Sequence, residues 1–181
     1  MTEPYRPAED TFFLEDVVRG SARGRVAADV GCSSGYMLGS LARLGLEAVG
    51  VDIDSGALEE ARKRLEGVYG VVHLVHASMM PFRMSSFDLV MSNPPYLPAD
   101  EEFHDPAVHG GLSGWEKAAE VVKAARRCLK TDGLLIILVS SLSDVGGFLS
   151  AVNSEGFAVV ERFELNLFFE RLYCFKLRLL G

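Results

Sequence analysis

The chain has 181 residues, of which 49% are hydrophobic, and its formal net charge is −7. This length suits one compact domain over residues 1–181, which needs neither a disulfide nor a metal to fold. The acidic balance argues against nonspecific binding to a phosphate backbone, no apolar run is long enough to span a membrane, and the polar start is not a targeting peptide, so we expect a cytoplasmic protein.

Short apolar runs alternate with helical patterns, which predicts an open α/β sheet with right-handed crossovers and helices on both faces. The predicted strands are 26–30, 48–51, 71–75, 87–91, 134–139, 157–163 and 172–179, and the predicted helices are 10–18, 36–44, 55–65, 115–129 and 143–153. The first five strands are nearly continuous in apolar residues, as expected when both faces are covered. The last two follow one another after a turn around Asn166, which predicts a hairpin at the end of the sheet. Ser55 is a candidate cap for its helix, and Ser113 and Glu116 have the spacing of a capping box.

A glycine turn follows the first predicted strand. Gly31 and Gly35 bracket it, and glycine there lets the backbone approach a ligand closely. A dinucleotide would place its pyrophosphate at such a turn, but Asp29, two residues before the first glycine, would repel it. The same carboxylate would attract a cation such as S-adenosylmethionine. Asp52 ends the next strand, where an acidic side chain accepts hydrogen bonds from ribose hydroxyls.

The residues after the next two predicted strands complete a candidate site, because ligands bind beyond the carboxyl ends of such strands. Ser78 and Met79 would border an adenine ring, with Met79 and Met80 equally compatible with plain core packing. The segment Asn93-Pro94-Pro95-Tyr96 follows the fourth strand. The Asn93 side-chain oxygen and the Pro94 carbonyl can each accept one N–H bond from a planar amide or amino nitrogen, and Tyr96 can stack on the flat group.

These motifs resemble a known family. Asn93–Tyr96, with the glycine turn and the strand-end Asp52, is similar to the class I methyltransferases that modify exocyclic or amide nitrogens. The opening segment 5–12 and the segment 110–115 resemble the HemK-type release-factor glutamine N5-methyltransferases in their short archaeal and eukaryotic form. The resemblance implies a seven-stranded sheet whose last strand is antiparallel. It also implies a substrate, the glutamine of the Gly-Gly-Gln loop in a peptide chain release factor.

The resemblance further implies a cofactor and a partner. The cofactor is S-adenosyl-L-methionine, and the residues expected to meet it are Thr11, Asp29, Gly31, Gly35, Asp52, Ser78, Met79 and Asn93. The partner is a small zinc-binding activator subunit that covers an apolar edge of the sheet near 71–75. Ser78 stands where many members have an aspartate, and Ser33 where the middle glycine is usual. Both departures imply altered cofactor binding with the catalytic groups retained.

Three other functions remain open from the residues alone. The acceptor could be an adenine in DNA or RNA, because its amino group is also planar, although the acidic charge and the lack of a target-recognition domain argue against a flipped base. It could be a protein lysine, which suits a flat clamp poorly. The chain could also be a silent nucleoside-binding scaffold. A metal site in the segment 97–113, with His104, His109 and its carboxylates, is not favoured. We expect that segment to form a substrate lid or groove.

Overall fold

The structure is a computed structural model that describes residues 7–99 and 108–180. The described residues form five helices and nine strands. The helices are α1 (Glu9–Ser21), α2 (Tyr36–Arg43), α3 (Ser55–Arg64), α4 (Glu116–Cys128) and α5 (Val145–Ser154). The strands are β1 (Val26–Val30), β2 (Glu47–Asp52), β3 (Val72–His76), β4 (Phe87–Ser92), β5 (Leu97–Pro98), β6 (His109–Gly111), β7 (Leu129–Ser140), β8 (Phe157–Asn166) and β9 (Arg171–Leu179).

Seven strands form one sheet in the order β3-β2-β1-β4-β7-β9-β8. The first five in this order are parallel, and β9 runs antiparallel to both β7 and β8. The α/β class, the seven strands and the closing hairpin are therefore confirmed. The strand order reverses between β1 and β4, and this switch point is where such a sheet opens a crevice for a ligand.

Two hydrophobic clusters cover the two faces of the sheet. One joins alternate residues of the central strands to α4 and α5, with Phe148 and Phe175 fully buried in it. The other joins the intervening residues to α1 and α2, with Leu14 and Leu38 fully buried. Each central strand is consequently buried on both sides, as its near-continuous apolar sequence predicted.

The expectation of two covered faces is wrong for β3. This strand lies at the edge of the sheet and pairs with β2 alone. His73 and His76 are exposed on it, and their rings bond Glu47 at 3.0 Å and the Ile53 carbonyl at 2.8 Å. An edge strand has a neighbouring strand on one side only. The side chains of β3 are therefore only half-buried or exposed, although its sequence is largely apolar.

Two helix starts differ in detail from the prediction. Asp54, not Ser55, caps α3, and its carboxylate accepts from two backbone amides of the first turn at 2.7 and 3.3 Å. The N-cap position of α4 is Trp115, and Ser113 contributes only half of a capping box. The Glu116 carboxylate accepts the Ser113 backbone N–H at 2.8 Å. Within the described ranges, no helix is long and apolar enough to cross a bilayer.

Candidate functional site

The predicted site residues come together at one edge of the sheet. β1, β2, β3 and β4 are parallel, so the segments that follow them all emerge at the carboxyl edge. The last residues of these strands and the segments after them hold the predicted positions Asp29, Gly31, Gly35, Asp52, Ser78, Met79, Asn93, Pro94, Pro95 and Tyr96. Thr11 arrives from α1. The roles assigned to these residues remain predictions, and the structure supplies their geometry.

The turn after β1 is built from left-handed backbone. Gly31 and Gly35 have φ values of 76° and 75°. A β carbon on Gly35 would lie 2.9 Å from the Ala61 β carbon, so this glycine also lets α3 pack closely. Ser33, which replaces the usual middle glycine, is itself left-handed at φ 45°. The position thus requires the conformation that glycine adopts most easily, and serine holds it with strain.

Asp52 joins the segments that follow β1 and β2. Its carboxylate accepts the Ser33 backbone N–H at 2.7 Å and the Asp54 backbone N–H at 2.9 Å. Each carboxylate oxygen has a second lone pair, so both bonds leave acceptor capacity for a ribose hydroxyl. Asp52 therefore sets the shape of the glycine turn in addition to its predicted ligand role.

Asp29 is buried at 4% exposure on β1, the strand that pairs with β2. Burial, and after it the charge on Asp52, together raise the pKa of the Asp29 carboxyl to about 7. Two carboxylates in one crevice repel each other and attract a cation. A positively charged ligand would weaken the repulsion between the two carboxylates and lower the raised pKa of Asp29.

The segment after β3 separates the two methionines. Ser78 is exposed and Met79 is half-buried against the core, whereas Met80 is buried at 5% exposure. Met80 is thus a core residue. Ser78 and Met79 remain accessible at the carboxyl edge.

Two side-chain hydrogen bonds hold the exit of β4. The Ser92 hydroxyl donates to the Val30 carbonyl at 2.7 Å, which ties the β4 exit to the β1 exit. The Asn93 side-chain Nδ2 donates to Asp10 Oδ2 at 2.8 Å. Asn93 Oδ1 is buried and accepts no hydrogen bond from the described residues. A buried acceptor without a donor is rare in proteins and marks a position that a ligand can satisfy.

The backbone beyond Asn93 is supported by the 110–115 signature. A β carbon on Gly110 would lie 2.5 Å from the Pro95 carbonyl oxygen, and one on Gly114 would lie 2.7 Å from the Tyr96 carbonyl oxygen. The Ser143 hydroxyl donates to the same Tyr96 carbonyl. Gly110 and Gly114 therefore leave the space in which the backbone of Pro95 and Tyr96 packs directly on theirs.

A polar cluster fixes α1 against the helix that follows the glycine turn. Glu15 accepts from the Tyr36 hydroxyl at 2.8 Å, from Ser40 at 2.7 Å and from Arg19 at 2.8 Å. Burial alone would raise the pKa of Glu15, but these hydrogen bonds outweigh it and lower the pKa. Glu15 carried no sequence signal except its position inside the predicted first helix.

Several other polar, cysteine and aromatic residues have structural roles or lie outside the described residues. His104 falls outside the described residues, as do the carboxylates at 100–105, and the lid predicted for 97–113 is described only at its ends. The described ranges hold no cluster of three or more potential metal ligands. Cys32 is a buried packing residue, and burial raises the pKa of its thiol. Trp115 packs against the α4–α5 cluster.

The chain is similar to named proteins. Residues 28–95 match the methyltransferase domain family. A release factor glutamine methyltransferase of Gloeobacter violaceus is 32% identical over 139 residues, which are 68% of this chain and 48% of that protein. The chain thus spans about half the length of this relative. A relative from Methanocaldococcus jannaschii, named as a protein N5-glutamine methyltransferase, is 27% identical over 177 residues, or 94% of this chain and 89% of that protein.

A solved structure matches the whole described fold. It is the Mtq2–Trm112 complex of E. cuniculi, described as responsible for the methylation of the eRF1 translation termination factor. The match has a TM-score of 0.77 at 25% identity, and it covers 98% of this chain and 99% of the matched chain. The alignment therefore extends over nearly the full length of both chains.

Proposed function

We propose that this chain, a class I methyltransferase by fold and by its sequence relatives, is an S-adenosylmethionine-dependent N-methyltransferase that acts on a glutamine side-chain amide. The proposed substrate is the glutamine of the Gly-Gly-Gln loop of a peptide chain release factor. The observation that carries the proposal is the side chain of Asn93. Its Oδ1 is buried and accepts no hydrogen bond from the described part of the chain, while its Nδ2 is bonded to Asp10 at 2.8 Å.

An amide nitrogen is a poor nucleophile because its lone pair is delocalised into the carbonyl. Asn93 Oδ1 and the Pro94 carbonyl can each accept one of its two N–H bonds, which holds the nitrogen at near-attack distance with the lone pair out of the amide plane. As the new N–C bond forms, positive charge grows on the nitrogen, and both acceptors bind it more strongly. The methylated nitrogen then loses one proton readily, so no general base is required. Tyr96 can lay its ring on the flat amide.

The residues around the glycine turn fit the proposed cofactor. A β carbon on Gly31 would meet no atom within 4 Å, so there is open space beside the turn. Asp29 and Asp52 supply negative charge at the same place. When bound, S-adenosylmethionine supplies a methyl group activated by a sulfonium. The residues proposed to hold it are Thr11, Asp29, Gly31, Gly35, Asp52, Ser78, Met79 and Asn93.

The exposed edge strand supports the proposed partner, a small zinc-binding activator subunit. β3 pairs on one side only, and Val71, just before it, is 54% exposed. An unpaired edge with apolar side chains is a site for strand addition or for a covering subunit. A Val71→Glu variant should lose co-purification with the activator while its thermal unfolding midpoint is retained. Undiminished co-purification would move the partner to another surface.

A labelling experiment tests the substrate. The protein, with and without the candidate activator, is incubated with radiolabelled S-adenosylmethionine. The acceptors are a release factor with Gly-Gly-Gln, the same factor with Gln→Ala, total DNA and total RNA. We expect label on the first acceptor only, abolished by Asn93→Ala and retained by Asn153→Ala, whose side chain is exposed on α5.

Other outcomes of this experiment name the alternatives. Label on DNA or RNA would assign an adenine acceptor. Equal label on the Gln→Ala factor would assign another side chain, such as lysine. Failure to bind S-adenosylmethionine at millimolar concentration, with the activator present, would leave a silent scaffold.

A further inference from the structure

The inference concerns Asp10, the second residue of α1. Asp10 is buried at 6% exposure, and its two carboxylate oxygens face different partners. Oδ1 accepts the Thr11 backbone N–H at 2.7 Å and lies 3.4 Å from the Thr11 hydroxyl. Oδ2 accepts Asn93 Nδ2 at 2.8 Å, a contact between residues 83 positions apart. The start of α1 is thereby joined directly to the segment proposed to bind the acceptor amide.

The contact matters because an asparagine side chain has two orientations of nearly equal shape. In one orientation it presents an oxygen to its surroundings, and in the other an NH2 group. A carboxylate accepts hydrogen bonds and donates none, so only the NH2 of Asn93 can face Asp10. Oδ1 must then point the opposite way, where it is buried and where no residue within 7–99 or 108–180 donates to it.

We propose that Asp10 is a positioning residue that selects the orientation in which Asn93 presents its oxygen to the acceptor nitrogen. This inference rests on the proposed function and deepens it. An acceptor NH2 can donate to Oδ1, but it would meet a second donor if Asn93 were turned over. The free protein also has a reason to turn Asn93 over, because a buried oxygen without a donor is unfavourable. Asp10 opposes that rotation, since the turned side chain would set Oδ1 against a carboxylate.

Asp10→Asn is the informative substitution because it preserves size and changes the hydrogen-bonding pattern. An amide at position 10 can keep its oxygen toward the Thr11 N–H and point its NH2 at Asn93. The favoured arrangement then reverses Asn93, which offers Oδ1 to position 10 and NH2 to the substrate. Asp16→Asn is the matched control, since Asp16 lies on the same helix, is exposed, and loses the same charge.

Steady-state kinetics on the Gly-Gly-Gln acceptor supply the first test. We expect Asp10→Asn to lower kcat on the order of 100-fold, the scale for a misplaced reacting group. The Kd for S-adenosylmethionine and the thermal unfolding midpoint should change far less, and Asp16→Asn should match the wild type. In an Asn93→Ala background, Asp10→Asn should produce no further loss. An unchanged kcat, or a fall in kcat matched by an equal loss of cofactor binding or of fold, would overturn the inference.

A second readout does not depend on activity. The side-chain NH2 of Asn93 can be assigned in a ¹⁵N–¹H NMR spectrum by its loss in Asn93→Ala. In the wild type these protons should exchange slowly with solvent because one is bonded to buried Asp10, and in Asp10→Asn the exchange should accelerate. Equal exchange in both proteins would overturn the inference. If the wild type methylates no Gly-Gly-Gln acceptor, the proposed function falls, and the NMR result still decides whether Asp10 orients Asn93.

Discussion

Asp29 and Asp52 lie on adjacent parallel strands at the carboxyl edge of the sheet, and the charge on Asp52 adds to the burial that raises the pKa of Asp29 to about 7. Asp52 is itself bonded to the backbone of the glycine turn. The two carboxyl groups therefore form a pair in which Asp52 is anchored by the backbone and Asp29 titrates near neutral pH. A cationic ligand between the loops would favour the ionised form of Asp29.

The affinity for S-adenosylmethionine should depend on pH. Asp29 is protonated below its pKa of about 7, so the cation gains its full electrostatic partner only as the pH rises through that value. Between pH 5.5 and 7 we expect the Kd to fall up to about tenfold per pH unit. The α-amino group of the cofactor stays protonated over this range, because its pKa is about 8. Isothermal titration calorimetry measures it, and Asp29→Asn should show a flat, weaker profile. A wild-type Kd independent of pH would contradict the prediction.

The same carboxyl should limit the stability of the free protein. Its pKa is raised from 3.8 to about 7 on folding, so its contribution is most favourable below pH 3.8 and is lost as the pH rises through about 7. The amide side chain of the Asp29→Asn variant cannot ionise. At pH 8 we expect this variant to raise the free energy of unfolding by about 2–4 kcal/mol, a range bounded by the pKa difference. Urea denaturation at pH 5 and pH 8 should show a gain that grows with pH. A loss of stability at pH 8 would contradict it.

Replacing the strained Ser33 of the glycine turn by glycine should stabilise the protein. Ser33 has φ 45°, and a left-handed conformation costs a non-glycine residue roughly 1–2 kcal/mol. Glycine removes this strain, but folding then costs more conformational entropy, because glycine is more flexible in the unfolded chain. We expect Ser33→Gly to raise the free energy of unfolding by about 0.5–1 kcal/mol, and to keep the backbone bond to Asp52.

Ser34→Gly is the matched control, because Ser34 is buried and does not have a left-handed backbone. It should lower stability by about 1 kcal/mol. Chemical denaturation of the two variants compares them directly. Equal destabilisation by both would show that the strain at Ser33 is compensated locally.

Gly110, which packs on the segment proposed to bind the acceptor, should tolerate no side chain. A β carbon on Gly110 would lie 2.2 Å from the Gly114 carbonyl oxygen and 2.5 Å from that of Pro95. Gly110→Ala must displace one of these backbones, so we expect kcat to fall on the order of 10- to 100-fold. Gly20→Ala is the control, because a β carbon there meets nothing within 4 Å. Wild-type turnover in Gly110→Ala would contradict this account of the signature.

The positions of the strands and helices could be predicted because this fold repeats one local rule. Each buried parallel strand is a short apolar run, and each is followed by a turn at the same edge of the sheet. Asp29, Asp52 and Asn93 could therefore be placed near one another without any knowledge of tertiary contacts. The departures are local: Asp54 rather than Ser55 caps α3, because a carboxylate one position earlier reaches two backbone amides.

The contacts that orient the site could not be predicted in the same way. The Asp10–Asn93 bond joins residues 83 positions apart, and the Ser143 hydroxyl reaches Tyr96 across 47 positions. No strand period or capping rule relates such pairs, since each depends on how α1 or the β7–α5 turn packs on the finished sheet. Asp10 lay within the quoted opening segment, whereas Ser143 carried no signal except its place in a predicted helix.

The glycine turn and the acceptor segment extend from adjacent strands, because β1 pairs with β4 and sets Asp29 beside Met91. Neighbouring strands lie about 4.8 Å apart whatever their side chains. Main-chain hydrogen bonds therefore hold the segment proposed to bind the cofactor and the segment proposed to bind the acceptor in register. This alignment does not depend on the side chains of the two strands. Under the proposed function, substitutions beyond Tyr96 would change the acceptor and leave the transfer geometry intact.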